Sequence, residues 1–131
     1  MMQILQPPGW PRPKGYSNGI VASGQMVFVA GMIGWDETET IVSDDFAEQF
    51  GQVLKNTIAV LAEANAKPEH IVRMTGYITC RDEYIEASKS IGPVWKSLMG
   101  KIYPTMAFVE VSGLMEPGAK IEIETTAVIP Q

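Results

Sequence analysis

The stretch NTIAVLAEANAKPEHIVRMTGYIT, Asn56 to Thr79, changes period from helix to strand. Ile58 and Leu61 continue an apolar stripe of helical spacing, and Asn65-Ala66-Lys67-Pro68 ends it. Ile71 to Thr79 then reads as a strand, although its alternation is weak. Gly76 inside it marks a bulge or a close backbone approach.

Upstream, the helix starts near Asp45 and runs to Ala64. Phe46, Phe50, Val53 and Leu54 lie on the same face as Ile58 and Leu61. Asp45 followed three residues later by Glu48 is an aspartate variant of the capping box. Asp36 to Ser43 is a polar loop. Ile20-Val21-Ala22 and Met26 to Ala30 read as two strands joined by a turn at Ser23-Gly24-Gln25. The second is continuously apolar, which predicts burial on both faces. Residues 1–15 hold Pro7, Pro8, Pro11 and Pro13 and read as an extended arm.

Downstream, Thr79 with Asp82 resembles a second capping box. Tyr84, Ser88, Ile91, Trp95 and Leu98 form one helical stripe, and Gly92-Pro93 within it predicts a kink or break. Met106 to Val111 and Ile121 to Val128 are the last strands, with Glu122 and Glu124 on one side. The expected order is β-β-α-β-α-β-β, a single α/β (α+β) domain over residues 1–131. Two helices cover one face of a mixed sheet, and the other face requires a partner, most simply another copy of the chain.

Composition narrows the function. The 131 residues are 46% apolar with a formal net charge of −5, and the basic residues are scattered. Such a chain is not expected to bind nucleic acid, which is held mainly by neutralising phosphates. No apolar run approaches membrane-spanning length. The first residues lack the pattern of a secretory signal, so a cytoplasmic location is expected. One Cys and one His, Cys80 and His70, predict no disulfide and no metal site. His70 reads as a turn residue, Cys80 as a small buried hydrophobe, and Trp10 as a packing residue.

The order and spacing of Gly15-Tyr16-Ser17-Asn18-Gly19, VAGMIGW (29–35), the 56–79 stretch, YPTMAFVEVSGL (103–114) and GAKIEIETTAVIP (118–130) resemble the Rid/YjgF superfamily. Its other descriptions are endoribonuclease L-PSP and enamine/imine deaminase. The resemblance implies a chorismate-mutase-like fold and a homotrimer with clefts between subunits. It also implies hydrolysis of imines or enamines to 2-oxo acids and ammonia, without metal or organic cofactor. In such chemistry an acid positions water at the C=N carbon, while an arginine grips the substrate carboxylate with two parallel hydrogen bonds.

By this resemblance Glu122 is the catalytic acid. Tyr16, Ala30, Gly31, Ser88, Met106 and Phe108 fall at substrate-binding positions. The family's Pro-Ala-Arg is Pro104-Thr105-Met106 here, so a thioether without donors replaces the guanidinium. Ala30 lacks the hydroxyl usual at its position, and Phe108 stands where cysteine is common. The expected function is therefore binding of a small metabolite other than the usual 2-imino acids. It is less polar or differently charged, aromatic given Trp35 and Phe108, and Glu122-activated water would hydrolyse it. The alternatives are a non-catalytic binding trimer and, more weakly, an endoribonuclease.

Overall fold

The computed structural model describes residues 2–131; Met1 of the arm lies outside them. The elements are β1 (Met2–Leu5), β2 (Gly19–Ala22), β3 (Gln25–Ile33), α1 (Phe46–Ala62), β4 (Ile71–Ile78), α2 (Arg81–Met99), β5 (Thr105–Glu110) and β6 (Ile121–Ile129). A 3-10 turn at Pro68–His70 precedes β4, and His70 Nδ1 accepts a hydrogen bond from Lys67 N there. The four-stranded sheet has the order β3-β6-β4-β5, with β4 and β5 parallel and the other pairs antiparallel. The expected mixed sheet with two helices is therefore present.

The core lies between the helices and one sheet face. Val53, Leu54 and Leu61 of α1 are fully buried with Met74 of β4 and Ile121, Ile123 and Ala127 of β6. Each such large aliphatic side chain contributes ~2 kcal/mol relative to exposure. Gln49 is the polar knot of this layer. Fully buried, its amide nitrogen donates to Ser43 O and Gly118 O, and its oxygen accepts from Lys120 N. The side chain thereby satisfies its buried polar atoms while tying α1 to the loop before β6.

The arm is extended as expected, but its first residues also form a strand the sequence does not announce, β1, paired antiparallel with β2 in a separate ribbon. β2 and β3 follow one another but do not pair. At Gly24 (φ +147°) the chain turns towards β6 so closely that a Cβ would lie 2.0 Å from Ile129 O. β3 buries one face only within the chain. Val29 is buried, whereas Met26 and Phe28 are 56% and 71% exposed on the face without helices.

The helix starts differ too. Asp45 accepts from Glu48 N as expected, but the return bond runs through Ser43, whose hydroxyl accepts from Asp45 N and donates to Glu48. For α2, Cys80 stands at the N-cap without a side-chain bond, so the Thr79–Asp82 box does not form. Glu110, at the end of β5, accepts from Arg81 N instead. Its charge also complements the positive helix N-terminus. Cys80 is exposed, not buried, and Trp10 is 60% exposed rather than packed. Helix α2 is not broken at Pro93. Gly92 has no Cβ to clash with the proline ring, which removes the usual obstacle to helix before proline.

Candidate functional site

A cavity of about 470 Å³ opens between α2, the end of the arm and the helix-facing side of β5. Of the sequence-derived site residues, Tyr16, Ser88, Met106 and Phe108 line it together. Backbone geometry dictates its floor. Gly76 of β4 sits beside Phe108 of β5, and a Cβ at Gly76 would lie 2.2 Å from the Phe108 ring. The missing side chain thus lets the ring lie across β4, where Tyr84 stacks on it at a centroid distance of 5.1 Å. Phe50 and Trp95 extend this aromatic wall at 6.4 Å. Trp95 Nε1 donates to Ile102 O, which fixes the indole while leaving its ring in the lining.

The arm closes the other side. Ser17 is buried; its N donates to Pro104 O (3.1 Å) and its hydroxyl donates to Tyr103 O. This pins Gly15 and Tyr16 beside the loop leading into β5, so the arm lines the cavity of its own chain. Burial pushes the Tyr84 phenol above its ordinary pKa, so it stays a neutral hydroxyl in the wall. No aspartate or glutamate is among the lining residues.

Gly76→Ala should lower stability by ~1–3 kcal/mol, the usual cost of overpacking a filled site. Thermal denaturation should show a melting temperature roughly 4–10 °C lower. An unchanged value would mean that the Phe108 ring is free to swing away and is not clamped as described.

Ala30, Gly31 and Glu122 lie elsewhere and do not line this cavity. Pairing of β3 with β6 steps from Val29 opposite Thr125 to Met32 opposite Ile123. Ala30 and Gly31 therefore bulge where β6 presents the single residue Glu124. Glu122 alternates with buried Ile121 and Ile123 and so belongs to the face away from the helices. Gly31 gives it room, since a Cβ there would sit 2.1 Å from Glu122 Oε2. Beside it, Tyr77 donates to Glu124 Oε1 at 2.8 Å. That bond, then lost hydration and the charges of Glu124 and Glu122, raise the Tyr77 pKa. Glu122 and Glu124 share a face as the alternation predicts. Trp35, expected as an aromatic ligand contact, is not in the cavity lining; its carbonyl accepts from Asn56 Nδ2.

The sequence reading missed Phe50, Tyr84, Trp95, Tyr103 and the lysines Lys14 and Lys96 as lining residues. The 84-88-91-95 stripe was a usable signal, because its Ser88 already carried a site assignment. Nothing in the sequence alone brought the arm lysine to it.

The sheet order, the helices on one face and the bulged β3 define the class of small Rid/YjgF-type α+β proteins. The family described as Endoribonuclease L-PSP matches residues 11–129. A RutC family protein of Aquifex aeolicus is 34% identical over 97% of this chain and 99% of its own length. Human 2-iminobutanoate/2-iminopropanoate deaminase is 25% identical over 86% of this chain and 79% of its own. A crystal structure of a Rid-family protein of unknown function from Yersinia pestis superposes with a TM-score of 0.86 at 27% identity, covering 98% of both chains. The chain belongs to the endoribonuclease L-PSP family of the Rid/YjgF superfamily. No helix among the described residues is long and apolar enough to cross a membrane.

Proposed function

We propose that this protein binds a small metabolite in clefts between the subunits of a homotrimer and hydrolyses a C=N or enamine bond there. The observation that carries this reading is the division of the site residues. Tyr16, Ser88, Met106 and Phe108 gather on the helix side of the chain, and Ala30, Gly31 and Glu122 on the exposed sheet face. A neighbouring copy seated on that face would bring its cavity to this chain's Glu122. Exposed Phe28, Met26 and Val109 give the face the apolar area such an assembly needs.

In the assembled cleft, the aromatic wall holds the ligand body and excludes water. Glu122 accepts a proton from water as the water oxygen bonds to the C=N carbon, and passes it to the nitrogen. The resulting carbinolamine's hydroxyl proton then moves to the nitrogen through the same carboxylate as the C=O bond forms and the C–N bond breaks, releasing the amine. Met106 offers the substrate no charged partner, so 2-imino acids are poorly held. Names among the relatives support imine chemistry, since two of them are 2-iminobutanoate/2-iminopropanoate deaminases. The second reading is a binding trimer without chemistry, favoured by one observation: the cavity lining holds no acid of its own.

An assay with imines generated in situ and semicarbazide as the competing trap separates the two. The expected result is hydrolysis of imines without an adjacent carboxylate, with little acceleration for 2-imino acids. Tight binding of such molecules with no acceleration for either class would leave the binding reading alone.

A further inference from the structure

We infer that the cavity is built for a small organic acid whose anionic group lies far from the reacting carbon, read by Lys14 and Lys96. The inference rests on the proposed ligand-binding role and names the ligand's class. Lys14 of the arm and Lys96 of α2 both line the cavity and both are exposed, which puts the two residues at its solvent-facing edge. Among the described residues the single side-chain ion pair is Lys120 with Glu83, so neither rim lysine is neutralised by a carboxylate. The lining contributes no acid either. A cavity with an aromatic floor and two unopposed cations at its rim complements a ligand with an apolar body and a terminal anion.

This arrangement differs from the arginine clamp that Met106 replaces. Met106 is half-buried beside Phe108, and a guanidinium there would hold a carboxylate against the aromatic floor. The lysines are exposed where Met106 is half-buried, so they act nearer the solvent. They favour an anion separated from the floor by the length of the ligand. In a chain of net charge −5, two cations at one opening also draw anions locally against the overall repulsion.

The test is a calorimetric titration of the full chain with 3-phenylpropionate and with its neutral isostere 3-phenylpropanamide. At low salt the acid should bind about tenfold tighter than the amide, and the preference should fade as salt rises. Lys14→Met with Lys96→Met should bring the two affinities together by weakening the acid alone. Both residues are exposed, so the fold should persist, which circular dichroism checks. Ser88→Phe, which places a ring in the cavity from an exposed helix position, should abolish binding of both probes. Equal affinities for acid and amide in the wild type would overturn the inference while leaving the ligand-binding role intact. Acid preference that survives the double variant, or binding that survives Ser88→Phe, would also overturn it. Binding of neither probe would remove the ligand-binding role together with the inference.

Discussion

Met106→Arg should raise kcat/KM for hydrolysis of 2-imino acids about a hundredfold or more. Residue 106 lies on the helix-facing side of β5, half-buried, within the lining that also holds Tyr16, Ser88 and Phe108. No carboxylate lines the cavity, so an introduced guanidinium would meet no internal partner to neutralise it. Two charge-assisted hydrogen bonds to a substrate carboxylate contribute ~3 kcal/mol or more, which is at least two orders of magnitude in transition-state binding. The new charge should cost some stability, ~1–2 kcal/mol, because the site is only partly hydrated. Imines made by an amino-acid oxidase, with semicarbazide as trap, give the rate directly. A folded variant with an unchanged rate would show that the substrate carboxylate is not held at position 106.

Glu122→Ala, made in the Met106→Arg background, should remove that gain, a loss of ~10²–10⁴-fold typical of deleting a general base. Gly31→Ala approaches the same carboxylate from β3. Its Cβ would overlap the Glu122 side-chain end, which can rotate away, so the fold should survive while the acid is displaced. Its loss of rate should be smaller than that of Glu122→Ala. A mixture of two inactive chains then tests the cleft. Chains carrying Glu122→Ala keep an intact cavity, and chains carrying Ser88→Phe keep Glu122. With the proposed intersubunit cleft, subunits exchanged between them should recover part of the rate in hybrid oligomers. No recovery, with exchange demonstrated by mass, would place cavity and acid within one chain's own site and overturn the intersubunit arrangement.

Much of the fold was legible in the sequence because it rests on local periodicity. The α1 stripe from Phe46 to Leu61 and the alternation of Ile121, Glu122, Ile123 and Glu124 were readable that way. β1 was not, since four residues ahead of a proline-rich arm carry little pattern and acquire strand geometry only by pairing with β2. The cap of α2 was misread for a similar reason: Glu110 reaches Arg81 from 29 positions away. The motif residues Tyr16, Ser88, Met106 and Phe108 line one cavity, but the separation of Ala30, Gly31 and Glu122 from it was not legible. Alternation along each strand is local, but which of its two sides meets the helices is set only when the strands assemble into the sheet, a long-range property. The aromatic wall was half legible, as a helical stripe whose outward end could not be told from its core end.

The arm that walls the cavity belongs to no layer of the main sheet. β1 and β2 make their own ribbon, and Ser17 is the stitch that holds the arm's end to the loop before β5. Between that stitch and β1 the segment can change length at little expense to folding, since loop closure grows slowly with length. A descendant of this chain could therefore acquire a new appetite by rewriting Lys14 and its neighbours, while the helices and sheet that keep it folded stay as they were.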